Sequence, residues 1–153
     1  MNLVVAAEPF DSFAARTLVA AADAEYALVY PPDQMFGKNL RSEHLGAGRG
    51  VFIIARLDGA PVGCGALRRL NDSTGELKRM FVDPPARRRG VARAILDELT
   101  QVGREMGIQR LVLETGIHQV AAIDFYEKAG FRRTECFGEY FESPTSLCFE
   151  KSI

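Results

Sequence analysis

The sequence predicts an α+β fold, a mixed and mostly antiparallel central sheet flanked by about four helices. Two observations predict it. Three strand-like patterns joined by short turns fill residues 51–82, and an amphipathic helical stretch then leads into the short apolar strand Leu111–Leu113. The first observation implies an antiparallel meander and the second a strand–helix–strand crossover, so the sheet is mixed. The chain has 153 residues, 47% of them hydrophobic and 25% charged. A chain of that length can bury roughly 70% of its unfolded surface without a disulfide or metal staple, and residues 1–153 read as a single domain.

The elements follow in order. Leu3–Ala6 forms a first short strand, and an Ala-rich helix runs from about Phe10 to Leu28 until Pro31-Pro32 ends it. Residues 33–50 predict a second short helix around Lys38–His44 and a glycine loop through Gly46, Gly48 and Gly50. Val51–Arg56 is a strand, Asp58-Gly59 a hairpin turn, and Pro61–Leu70 the returning strand. A turn over 71–75 leads into Glu76–Val82. Val91, Ile95, Leu99, Val102 and Met106 then recur at helical spacing, with Gly107 at the C-terminal stop. After Leu111–Leu113 comes a helix from Gln119 to Ala129, stopped by Gly130. Strands around Phe131–Phe137 and Ser146–Glu150 complete the order.

Composition excludes several classes. Nineteen Lys and Arg against 20 Asp and Glu leave a net charge of −1, which argues against nucleic acid as a partner. No apolar run approaches the ~18–20 residues that span a membrane, and the N-terminus lacks the basic start of a secretion signal. Cys64, Cys136 and Cys148 are odd in number and widely spaced, so they read as packing residues in a reducing cytoplasm. No His, Cys or Asp cluster has metal-ligand spacing.

The charge is nevertheless uneven. Residues 51–110 hold eleven basic and seven acidic side chains, and Arg87, Arg88, Arg89 and Arg93 fall in a stretch without an acid. These arginines open a helix, where the backbone dipole already presents about +0.5 charge and further cations are unfavourable. An anion at that helix start would resolve the conflict. Gly90 lets a phosphate approach the backbone, and first-turn N–H groups point at it. A P-loop is excluded because no Gly-Lys-Ser/Thr follows, and a dinucleotide fingerprint because Gly-x-Gly-x-x-Gly is absent.

At Arg87-x-x-Gly90-x-Ala92, after a strand and opening a helix, the sequence resembles the GNAT superfamily of N-acetyltransferases, whose signature there is Gln/Arg-x-x-Gly-x-Gly/Ala. Gln119-x-x-Ala122-x-x-Phe125-Tyr126, ending in Gly130-Phe131, is similar to the family's later motif, with Gln119 where Asn is usual. The resemblance covers nearly the whole chain from Leu3. It implies a small bacterial-type acetyltransferase with acetyl-CoA as co-substrate, no metal, a small-molecule or peptide amine as acceptor, and a homodimer as the family-level expectation.

It also implies site residues. Acetyl-CoA would enter a cleft where the fourth and fifth strands splay apart. Main-chain groups of Met80, Phe81 and Val82 would pair with its pantetheine arm, and a backbone N–H near Phe81 could stabilise the oxyanion. The turn Arg87, Arg88, Arg89, Gly90, Val91 and Ala92 would cradle the pyrophosphate, and Gln119 would complete the cofactor-binding set. Tyr126 would protonate the departing thiolate, since a phenol of pKa ~10 lies close to a thiol of ~8.5. An alkyl amine is mostly ammonium at neutral pH and needs a general base. Glu76 is the first candidate for that role and Glu114 the second, whereas His44 and His118 read as surface-loop residues. The loop over 29–50 and the last hairpin would shape the acceptor site, with Glu135, Glu139 and Glu142 available to attract a cation. The alternative is a non-catalytic acetyl-CoA sensor with the same pocket, which would have no need of Tyr126 or Glu76.

Overall fold

The computed structural model describes residues 2–153. One seven-stranded sheet holds β1 (Leu3–Ala7), β2 (Gly50–Leu57), β3 (Ala60–Arg69), β4 (Thr74–Val82), β5 (Arg110–Gly116), β6 (Arg132–Thr134) and β7 (Ser146–Ser152), in the spatial order β1-β2-β3-β4-β5-β7-β6. Every pairing is antiparallel except β4 with β5. That exception follows from the crossover, since α2 (Val91–Glu105) carries the chain back to the end of the sheet at which β4 began. The other helices are α1 (Phe13–Ala27) and α3 (Val120–Lys128). Ser12 starts α1 by accepting a hydrogen bond from the Ala15 amide at 3.1 Å.

The layers divide by face. The helix α2, with Val91, Ile95, Leu96 and Leu99, packs with Tyr126 of α3 over Ile53, Leu67, Leu77, Leu111, Leu113 and Phe149. The other face carries α1, whose Ala15, Leu18 and Ala22 meet Phe52, Ile54, Cys64, Ala66 and Phe81. Glycines in β3 let α2 approach closely. A Cβ on Gly65 would stand 2.5 Å from the Met80 sulfur and 2.8 Å from Ile95 Cγ2.

Three expectations need correction. Residues 38–44 form no α-helix. They are irregular apart from one 3-10 turn at Ser42–His44, where the Arg41 amide donates to His44 Nδ1 at 3.1 Å and no apolar stripe is available to bury a helix. The described residues thus hold three α-helices and four 3-10 turns around the sheet. The strand expected over Phe131–Phe137 is only Arg132–Thr134, because the chain then leaves the sheet for a 3-10 turn at Gly138–Tyr140.

The third concerns the cysteines. Cys136 and Cys148 form a disulfide with a Cα–Cα distance of 5.1 Å, while Cys64 is free and buried. Thr134 pairs with Cys148 in the β6–β7 ladder, so the chain just past β6 lies beside β7. Wide spacing in sequence hid this adjacency, and the argument from spacing to a reducing compartment loses its basis.

Candidate active site

The parallel β4–β5 ladder runs only from Thr74↔Arg110 to Leu77↔Leu113, and beyond it the two strands diverge. A bulge accompanies the divergence. The β3–β4 register shifts between Cys64 and Ala66, and Arg79 adopts φ 57°. A non-glycine residue in the left-handed region is uncommon, and bulges often re-aim a side chain beside a site. The cleft opened there passes between the two faces of the sheet. Leu77, Met80, Leu113, Ala122 and Tyr126 line it on the α2/α3 side. Asp23 and Tyr26 of α1, the loop Gln34–Lys38, Lys78, Arg79, Glu114 and Tyr140 line it on the other.

Tyr126 is 6% exposed and stacks edge-on against Phe125 and Phe131. Among the described residues its hydroxyl has no hydrogen-bond partner, and burial raises its pKa well above the usual phenol value. The proton is therefore present at any working pH. A thiolate released into the same desolvated space becomes more basic for the same reason, as the buried Cys64 thiol does, pushed up to about 12.

Glu76 and Glu114 part company. Glu76 is 4% exposed and does not line the cleft; its Oε2 accepts from Tyr140 Oη at 3.0 Å and pairs with Lys78 Nζ at 3.4 Å. Lys78 Nζ also donates to Tyr140 Oη at 2.9 Å, which closes a buried triad. Both contacts fall on one oxygen, Oε2, and hold the carboxylate inside the triad, off the lining of the cleft. Glu114 instead faces the cleft and accepts from Ser146 Oγ at 2.6 Å. Burial lifts its pKa above the ordinary carboxylate value, only partly offset by the Ser146 hydroxyl and Lys78. A carboxylate moved toward neutrality is the better proton acceptor. Removing one member of a buried ion pair typically costs ~3–5 kcal/mol, so Glu76→Ala should lower unfolding free energy by about that much in denaturant titration.

The turn before α2 has the geometry of an anion cradle. Arg88 and Gly90 take φ 64° and 80°, and α2 begins without a side-chain cap. Between the Arg87 amide, which donates to Pro84 O, and the Ala94 amide, which donates to Gly90 O, the six N–H groups of residues 88–93 find no acceptor among the described residues. These residues fit a pyrophosphate. A Cβ on Gly90 meets nothing within 4 Å, so only backbone conformation opposes Gly90→Val. That variant should stay folded and lose about tenfold or more of its acetyl-CoA affinity by calorimetry.

Arg87 serves differently from its neighbours. Its Nη2 grips both oxygens of Glu25 at 2.8 Å and its Nε donates to the Val82 carbonyl at 2.8 Å, so it ties the turn to α1 and β4. Arg88 and Arg89 are exposed and have no ion pair among the described residues, so they are free to meet phosphate. Val91 is buried against the sheet, Ala92 is half-buried, and Gln119 sits half-buried at the N-terminus of α3. Met80 and Val82 are half-buried at the end of β4 and Phe81 is buried on the α1 side, all beyond the last β4–β5 pair.

Sequence reasoning missed Lys78, Arg79, Tyr26, Tyr30 and Tyr140. Tyr30 Oη accepts from the His118 amide at 3.0 Å and Glu139 accepts from the Gly37 amide at 2.6 Å, so both contacts tie down loops on the α1 side of the cleft. Arg79 Nη1 donates to Asp23 at 2.7 Å, but its Nε is buried with no partner. A desolvated donor left that way typically costs ~1–3 kcal/mol. Among the described residues no group of three or more His, Cys, Asp or Glu could hold a metal, and no helix is long and apolar enough to cross a membrane.

Comparison with known proteins agrees with this architecture. The family model for the acetyltransferase (GNAT) family matches residues 16–131, and the chain belongs to that family. It is 41% identical over 103 residues to the IAA acetyltransferase of Azospirillum brasilense, an alignment that covers 67% of each protein. It spans 62% and 54% of the lengths of two other curated N-acetyltransferases that it matches. A solved chain from Klebsiella pneumoniae superimposes with a TM-score of 0.81 at 28% identity, covering 98% of this chain and 97% of that one. The PaiA N-acetyltransferase of Thermoplasma acidophilum, solved in complex with coenzyme A, shares the fold over the full length of both chains with a TM-score of 0.76 at 18% identity.

Proposed function

We propose that the protein transfers the acetyl group of acetyl-CoA to an amine by direct attack, without a covalent acyl-enzyme. The observation that carries this reading is the cleft through the splayed sheet, with a proton donor on one face and a proton acceptor on the other. The six unsatisfied amides of 88–93 would hold the pyrophosphate at the α2/α3 mouth. The backbone of Met80, Phe81 and Val82, past the end of the β4–β5 ladder, would align the pantetheine arm. A bound acetyl-CoA supplies the thioester carbon that the amine attacks.

The amine enters from the α1 side and loses its proton to Glu114, which replaces Glu76 in that role. Glu76 keeps Lys78 and Tyr140 in place beneath the acceptor floor. Tyr126 returns a proton to sulfur as the thiolate leaves. Retained free energy of the thioester drives the transfer, so the protein has only to align the partners and move two protons.

A thiol-release assay with acetyl-CoA across amino acids, polyamines, aminoglycosides and peptides tests the proposal. It requires release that depends on an amine and falls in the Tyr126→Phe and Glu114→Gln proteins. Tight acetyl-CoA binding with no release for any amine would make the chain a sensor module instead.

A further inference from the structure

We propose that the acceptor amine also carries a carboxylate, which Arg79 grips at the α1 mouth of the cleft, so that amino acids and related amine-acids are the substrate class. The inference rests on the reading of this cleft as the acetyl-transfer site. Its first support is the bulge. Strand alternation would send Arg79 to the α2/α3 face beside Leu77, but φ 57° turns it to the α1 face, where it meets Asp23. Two consecutive cations, Lys78 and Arg79, thereby line one mouth.

Charge pairing supplies the second support. Lys78 is taken up by Glu76. Arg79 and Lys38 share a single carboxylate, Asp23, at 2.7 and 4.0 Å. Across the cleft Glu114 is hydrogen-bonded only to a neutral hydroxyl, Ser146. The α1 side therefore has cationic capacity to spare and the β5 side has an acid facing the space between them. An ammonium toward Glu114 and a carboxylate toward Arg79 satisfy both.

Third, the Arg79 side chain is only 10% exposed, its Nη1 is on Asp23, and its Nε has no acceptor. Arg79 lines the cleft with guanidinium donors beyond the one spent on Asp23, and a planar guanidinium can take two carboxylate oxygens at once, a contact that Lys78 or Lys38 could not reproduce.

Calorimetry on the protein saturated with coenzyme A tests this, titrating a panel of amino acids against the decarboxylated amines with the same side chains. The best amino acid should bind roughly tenfold or more tightly than its amine. Asparagine tolerates the left-handed conformation, so Arg79→Asn keeps the bulge and should shrink that ratio to about twofold. Should it fail to fold, Lys38→Ala, at a half-exposed site, should still narrow the ratio by several-fold. Amines that bind as well as their amino acids, or a panel in which nothing binds, would overturn the proposal. Preferential binding of an amino acid without any thiol release would leave the carboxylate site standing and sink the acetyl-transfer reading instead.

Discussion

Tyr126→Phe should lower turnover by roughly 10²-fold, the usual scale for a positioned general acid. The substitution removes one hydroxyl and keeps the ring that packs edge-on against Phe125 and Phe131. That hydroxyl has no hydrogen bond to lose among the described residues, so stability should change by no more than ~1 kcal/mol. Acetyl-CoA affinity should also hold, because the proton matters chiefly as sulfur gains charge. Burial keeps Tyr126 protonated far above neutrality, so its ionisation should leave no alkaline limb below the range where the protein itself unfolds. Acetyl donors with a more acidic thiol need less help to depart and should recover part of the loss. A Phe variant working at the wild-type rate, with chemistry shown to be rate-limiting, would make Tyr126 a packing residue alone.

The position of Tyr126 on the cleft wall was legible in the sequence because a local motif places it on α3, and so was the turn before α2. Both are short stretches in which helix start, glycine and side-chain spacing follow one another along the chain. The order of strands was legible for a similar reason, since turns and apolar alternation mark each boundary in the residues themselves. The α1 side of the cleft was not. Arg79 reached the cleft through a bulge that no residue pattern announces, and Tyr140 came from a turn more than 60 residues beyond the Glu76 and Lys78 it bonds.

The choice between Glu76 and Glu114 shows the limit most clearly. As sequence, each is a carboxylate in or beside a strand of the crossover. What separates them is Lys78 Nζ and Tyr140 Oη on Glu76, against a lone serine hydroxyl and burial on Glu114. The disulfide between Cys136 and Cys148 was hidden in the same way, by a proximity that depends on how β6 meets β7.

Glu114→Gln should reduce kcat/KM by roughly 10²- to 10³-fold near neutral pH, within the span of general-base effects. The size of the loss should depend on pH. An alkyl amine with a pKa near ~10 arrives as ammonium at neutrality and needs an acceptor for its proton. As pH approaches that value the amine arrives neutral, water can take the remaining proton, and the gap between variant and wild type should close. In the wild type, rate should fall as pH drops through the Glu114 pKa, which burial has raised above the ordinary carboxylate range. The Gln variant should lack that limb and follow the amine alone.

Stability separates this role from a structural one. A carboxyl whose pKa is raised by folding stabilises the protein most below its unfolded pKa, and that contribution is lost as pH rises through the folded value. At neutral pH the ionised Glu114 therefore costs the fold something, and Gln, which can still accept from Ser146, should melt no lower than wild type. Thermal melts and pH–rate profiles on the same preparations check both statements. If Glu76→Gln instead removes the acidic limb while Glu114→Gln leaves it in place, the base is Glu76, and the buried triad must open during turnover.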